Sequence, residues 1–449
     1  MHHTSLVQLR QRVPEPRGTA PAGSGRAFLG PLGGSAPPVR SLYLHIPFCF
    51  HKCHYCDFYS VVDRLDRQEA FVDRLTRELA AQAPLAQGAP LRTIFAGGGT
   101  PSLLRPDLWR RLLADLARLF DLSALEEFTV ECNPETVTPE LAETLARGGV
   151  TRVSMGAQSF ERRHLKTLER WHDPENVARA LAITRDAGIR RDSIDLIFGV
   201  PGQTVEEWRR DLGTALALGT EHLSAYSLTY EPRTKMTARL KKGEFAPVEE
   251  DDEVAMHEAA LQTCRAAGLD RYEVSNYARR RPGARGDEQM AEGGGGGEEE
   301  TAGAVCRHNM AYWRQEGWLA CGPSAAGYVP ASEDWSAGGH RWKNTTRLDE
   351  YLAADDAGFC PVVEHEPPDA RRAISERLMT GLRLAEGVDA GAILAACGRL
   401  DAGLPGRMER IARQFRAAGH LDAREDRWTL TDRGFLFADG IAGAFMAEL

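Results

Sequence analysis

Between residues 41 and about 230, short apolar stretches alternate six times with amphipathic helical patterns. The predicted strands are Leu42–Ile46, Thr93–Ala96, Phe128–Cys132, Arg152–Met155, Ser193–Phe198 and Leu223–Leu228. Phe71, Leu75 and Leu79 recur at helical spacing, as do Leu108, Leu112 and Leu116 behind Pro106, a residue suited to a first helical turn. Thr204-Val205-Glu206-Glu207 reads as a capping box opening a helix with Trp208 and Leu212. Repeated β–α units predict parallel strands with right-handed crossovers. Six units are too few for a closed eight-fold barrel, so a partial barrel and a doubly wound sheet both fit.

The 449 residues leave room for two domains with tails. Residues 1–40 carry Arg10, Arg12, Arg17, Arg26 and Arg40 against a single acid, Glu15, among many Pro and Gly. They read as a disordered tail, with a transit peptide as the alternative. Residues 41–280 form the α/β body. Residues 281–305 are an acidic, glycine-rich insertion with nothing to bury. Residues 306–364 extend the body. In residues 365–449, Ile374, Leu378 and Leu382 mark a helix, and Ile411, Phe415 and Leu421 lead into Trp428-Thr429-Leu430. Helices followed by a hairpin-like stretch suggest a small winged-helix-like α+β domain. A net charge of -9 with both signs interspersed argues against nucleic acid as a partner. No apolar run approaches the ~20 residues of a membrane-spanning helix.

Cys49, Cys53 and Cys56 fall within eight residues, directly after the first predicted strand. Three thiolates so close can hold three corners of a 4Fe–4S cluster and leave the fourth iron open. Three other readings stand beside it: a zinc site completed by His51 or His54, a redox dithiol, and structural bystanders, which three cysteines in eight residues disfavour. Structural zinc usually joins two ligand pairs across a longer spacer, which is missing here. The other cysteines are scattered, so the chain does not carry a secreted disulfide framework. Gly97-Gly98-Gly99-Thr100-Pro101 follows the second strand. In a parallel sheet the strand ends share one rim, which makes this loop a neighbour of the cysteines.

With Cys49-x-x-x-Cys53-x-x-Cys56 and Gly97-Gly98-Gly99-Thr100-Pro101, the chain resembles the radical S-adenosylmethionine superfamily. Further stretches narrow the resemblance to the group related to oxygen-independent coproporphyrinogen III oxidase. They are Tyr43–Cys49, Glu131-Cys132-Asn133-Pro134, Ser154–Phe160 and Asp195–Thr204. The implied fold class is α/β: a partial (β/α)6 radical SAM barrel with a small C-terminal winged-helix-like α+β domain. The resemblance implies that Cys49, Cys53 and Cys56 hold the cluster, with S-adenosylmethionine on the open iron. It assigns Gly98, Gly99 and Thr100 to the methionine part and Glu131 to the ribose. Gln158, Arg170 and Asp195 match further nucleotide contacts, and Tyr43 and Tyr55 would pack around cluster and ligand. Read as residues alone, the two tyrosines are equally core, and Glu131 and Arg170 equally solvated charges.

The oxidase proper carries a further cysteine two residues after the third; here that position is Phe58. Its haem-binding relatives, called HemW in bacteria, carry His-Asn-x-x-Tyr-Trp, and this chain has His308-Asn309-Met310-Ala311-Tyr312-Trp313. The resemblance therefore implies a haem chaperone with His308 as a haem ligand and a haem protein as acceptor, free or membrane-bound and met peripherally. The alternative is a coproporphyrinogen oxidase-like radical enzyme. Expected cofactors are the 4Fe–4S cluster, S-adenosylmethionine and haem. The expected location is cytoplasmic, or mitochondrial if residues 1–40 are a transit peptide. Whether the chain acts as monomer or dimer stays open. Read without the family, a lone histidine beside Asn, Tyr and Trp is more often a hydrogen-bonded structural one.

Overall fold

A computed structural model describes residues 23–32, 36–279, 304–424 and 426–449. The acidic insertion, save its last two residues, and the first 22 residues lie outside these. The chain forms two compact units: one from the start to Phe50, Tyr59–Phe128 and Arg307–Leu449, the other from His51–Phe58 and Thr129–Cys306.

The first unit holds β1 (Gly23–Ser24), β2 (Ser41–Ile46) and β3 (Thr93–Gly98). β2 and β3 are parallel, in register from Ser41 opposite Thr93 to Ile46 opposite Gly98. Leu42, Leu44 and Ile46 are wholly buried, which is why β2 reads as a near-continuous apolar run. The helix Gln68–Gln82 turns Phe71, Leu75 and Leu79 inward. The helix Pro106–Leu119 begins at its proline, whose missing N–H is not needed in a first turn, and buries Leu108, Leu112 and Leu116.

The second unit takes over within β4 (Glu127–Cys132) and continues with β5 (Arg152–Gln158), β6 (Arg191–Phe198) and β7 (His222–Ser227). All three pairings in this series are parallel. The crossover helix Val205–Ala217 opens with the predicted capping box, Thr204 and Glu207 bonding each other's backbone N–H groups. β8 (Leu269–Arg271) and β9 (Asn276–Arg279) close the edge beyond β7, both pairing antiparallel.

The chain then returns to the first unit with β10 (Trp318–Cys321), β11 (Ala326–Pro330), β12 (Gly339–Asn344) and β13 (Pro361–Glu366). β10 lies parallel to β2, Trp318 opposite Ser41, and adds a parallel strand to the six predicted. β11, β12 and β13 follow as an antiparallel meander. β1 pairs with β13, Ser24 opposite Pro361, and Leu29 and Val39 are buried. Residues 23–32 and 36–40 are thus folded, against the reading of residues 1–40 as a disordered tail. A two-residue strand needs only a partner edge, and composition carries no trace of that edge.

The C-terminal segment runs helix Ala370–Gly381, β14 (Val388–Asp389), helices Ala390–Leu400 and Leu404–Ala417, then β15 (Leu421–Arg424) and β16 (Arg427–Leu430). β16 pairs with both β15 and β14, which gives the helix–strand–helix–helix–hairpin order of a winged helix. Asp369 and Asp389 cap two of these helices through the N–H groups of Arg372 and Ala392, each at 2.7 Å. Among the described residues no helix is long and apolar enough to cross a membrane.

Candidate functional site

In the first unit, the segment after β2 is stitched to the loop after β3. Gly99 N donates to Ile46 O at 2.9 Å and Thr100 N to Phe48 O at 2.7 Å. Cys49 N donates to Val61 O at 2.9 Å, and the Cys49 Sγ lies 3.4 Å from Thr100 Oγ1. Gly98 has φ +101°, and a Cβ there would sit 2.4 Å from the His45 ring; one on Gly99 would sit 2.6 Å from the Pro47 backbone. The glycines are therefore needed first so that the chain can approach itself.

His45 Nε2 lies 2.9 Å from Tyr59 O. A carbonyl only accepts, so Nε2 carries the proton and Nδ1 is an acceptor. Tyr43 Oη, 3.1 Å from Nδ1, is then the donor. Burial holds His45 neutral and lowers its pKa to about 4. Tyr43 packs with Tyr312 against Trp318, Ala320, Ala325 and Tyr328.

Glu127 accepts from the N–H groups of Arg307 and His308 at 3.1 Å each, which anchors the helix Arg307–Trp313. His308 is fully buried. Its Nδ1 is 2.8 Å from Thr93 Oγ1, its Nε2 is 2.8 Å from Tyr312 Oη, and its ring stacks on Phe95. Burial pushes its pKa down to about 3. The ring expected to ligate haem iron thus has both nitrogens hydrogen-bonded within the protein and no exposed surface.

In the second unit, Cys53 O accepts from Cys56 N at 3.3 Å, and His54 is held by Leu168 O and Met236 N. Tyr55 packs against Leu168, Ile197, Val200, Leu228 and Met236, and desolvation pushes its phenol pKa up. Its place is thus partly core. Arg170 spans from Gly156 O, at 2.8 Å, to the Cys53 Sγ, at 4.0 Å. A Cβ on Gly156 would come within 2.9 Å of both the Arg170 and the Gln158 side chains. Gln158 takes a left-handed φ of +65° where the register slips between β5 and β6, and Gly156 faces Asp195 across that pair. Ser154 donates to Asp195 at 2.8 Å and stands opposite Glu131. Desolvation raises the Asp195 pKa, against the lowering effect of bonds from Ser224 and Ser154. Glu131, Gln158, Arg170 and Asp195 therefore meet on β4, β5 and β6 and the turn beside them. Sequence reasoning missed His45, although it lies inside the quoted Tyr43–Cys49 stretch.

The three loop thiols form no disulfide and are half-buried. Among the described residues no three His, Cys, Asp or Glu side chains converge as a ready cage for a single metal ion. Three soft thiolate donors on one short loop fit an iron–sulfur cluster.

The family model for the Radical SAM superfamily matches residues 43–215, and that for the HemN C-terminal domain matches residues 369–437. Coproporphyrinogen III oxidase (HemN) of Escherichia coli has the same fold, with a TM-score of 0.76 at 21% identity over 95% of this chain and 94% of that one. Fold and site define a radical SAM-type α/β protein, a partial (β/α)6 barrel with a small C-terminal domain. Heme chaperone HemW of Bacillus subtilis is 31% identical over 92% of this chain and 100% of its own length. The Escherichia coli protein of the same name is 32% identical over 92% and 99%. The chain belongs to the HemW family.

Proposed function

We propose that this protein is a haem chaperone: it binds haem together with an S-adenosylmethionine-ligated 4Fe–4S cluster and delivers haem to an acceptor haem protein. The observation that carries the reading is similarity along 92% of the chain to proteins named as haem chaperones. Cys49, Cys53 and Cys56 would hold the cluster. When bound, it offers one iron to the amino and carboxylate groups of S-adenosylmethionine. Gly98, Gly99 and Thr100 would line the methionine part. Glu131, Gln158 and Asp195 would take the nucleoside, and Arg170, beside Cys53, would stabilise a carboxylate. Tyr43 would be oriented by His45. The work would be done in the cytoplasm. The fold shared with coproporphyrinogen III oxidase supports a second reading, porphyrinogen decarboxylation, but Phe58 stands where that enzyme has a cysteine.

Anaerobic reconstitution tests the proposal. Iron and sulfide should approach about four each per chain. Haem should bind with a shifted Soret band and move to an apo-haem protein on mixing. Haem that neither binds nor transfers removes the chaperone reading. Porphyrinogen turnover with S-adenosylmethionine and reductant would install the enzyme reading instead.

A further inference from the structure

A haem carrier needs a place for its cargo, and both ring nitrogens of His308 are already bonded. The second unit offers a candidate. A cleft of about 300 Å³ lies along the helix Arg162–Leu168 and the turn after it, lined by Arg162, Leu165, Lys166, Glu169, Trp171 and His172 among others. We propose that this cleft receives haem, with His172 as the iron ligand, Trp171 as the platform for the porphyrin ring, and Arg162 and Lys166 as partners of the two carboxylates. The inference rests on the chaperone reading and supplies the binding site that reading lacks.

Three observations support it. Both ring nitrogens of His172 are buried, and neither has a hydrogen-bond partner. An imidazole in that state can turn toward iron without breaking a bond, whereas His308 would have to break one. The shape and chemistry also suit a planar aromatic ligand. Trp171 is 57% exposed, and His51 backs it in a parallel stack, with centroids 4.2 Å apart and planes at 7°. A large exposed indole held flat by a second ring stacks well on a porphyrin. Glu169 accepts from its indole N–H at 3.3 Å and fixes the ring further.

The charge fits as well. Arg162 and Lys166 lie four residues apart on one helix, hence on one face, and both are exposed. Arg162 lines the cleft and bonds Asp173 and Glu175, contacts that a haem carboxylate would share or displace. A site at the small end of ligand-pocket volumes, open on one side, covers only part of a porphyrin. Partial cover suits a molecule that must be handed on.

The test is titration of the full-length, cluster-loaded protein with ferric haem under anaerobic conditions, read in the Soret band and by electron paramagnetic resonance. His172→Ala should abolish the low-spin imidazole signal and weaken binding ~10-fold or more, the loss of one good contact. Lys166→Glu, on an exposed helix face with no effect on folding expected, should weaken binding and make it less salt-sensitive. Trp171→Ala should weaken binding while iron and sulfide content stay at the wild-type level. Wild-type protein that binds no haem overturns the chaperone reading and this site with it. Wild-type protein that binds haem while all three variants match it overturns this site alone, as does loss of the low-spin signal in His308→Ala but not in His172→Ala.

Discussion

Tyr43 donates its hydroxyl proton to His45 Nδ1 across 3.1 Å, because the other His45 nitrogen must give its proton to the Tyr59 carbonyl. The phenol oxygen is thereby fixed with its lone pairs turned away from His45. A buried histidine so sets the rotor of a tyrosine that should pack on the proposed cofactor.

His45→Phe removes the acceptor of the Tyr43 hydroxyl and the donor to the Tyr59 carbonyl. It should cost about 1–3 kcal/mol of stability in urea denaturation. It should also weaken S-adenosylmethionine binding to the cluster-loaded protein in equilibrium dialysis. His45→Gln, which keeps one donor and one acceptor, should recover part of both losses. Equal affinity in the Phe variant would separate His45 from the ligand site.

Gly98→Ala places a Cβ 2.4 Å from the His45 ring at a φ of +101°. The strain and overlap together should cost roughly 2–4 kcal/mol. Combining it with His45→Ala removes the overlap but not the strain. The double variant should therefore be less destabilised than the sum of the single ones, by more than the ~0.5 kcal/mol scatter of independent sites.

His308 is neutral in the native state, with a pKa held down to about 3 by burial, against an ordinary value of 6.5. Between these values the unfolded chain binds the proton and the folded chain does not. The stability contribution is thus complete above pH 6.5 and is lost as pH falls toward 3, by about 3–5 kcal/mol in total. His308→Gln should be less stable at neutral pH yet show a flatter stability curve over that window. Parallel curves for the two proteins would show that the ring is not buried neutral.

Thr204→Ala removes one half of the capping box, the 3.3 Å bond from Glu207 N, and leaves Glu207 reaching back to the residue 204 N–H at 3.0 Å. The expected loss is about 1 kcal/mol, measured by thermal or urea unfolding. Thr204→Ser should be nearly neutral.

The parallel strands were legible because their signals are local and redundant. Apolar runs such as Leu42–Ile46 are bounded by turns, and the Thr204 box names its own helix start. β3 runs two residues beyond its predicted end at Ala96, through Gly97 and Gly98. Glycine lowers strand propensity, but pairing with β2 overrides it. β10 was not legible as a partner of β2, since four apolar residues specify burial and not a neighbour. The site residues came from motif resemblance. Which of them spend their bonds on the protein itself, as His308 and Gly98 do, depends on contacts far apart in sequence.

The pairing of β10 with β2 also bears on the order of events at the ribosome. Ser41 emerges early, but its partner Trp318 cannot arrive until nearly three hundred residues later. The residues of the second unit end at Cys306, so all of them precede Trp318. Nascent chains halted so that residue 306 but not Trp318 has cleared the ribosome should resist protease across Thr129–Arg279 more than around Ser41, because a contact spanning that much sequence is the last whose loop entropy is recovered.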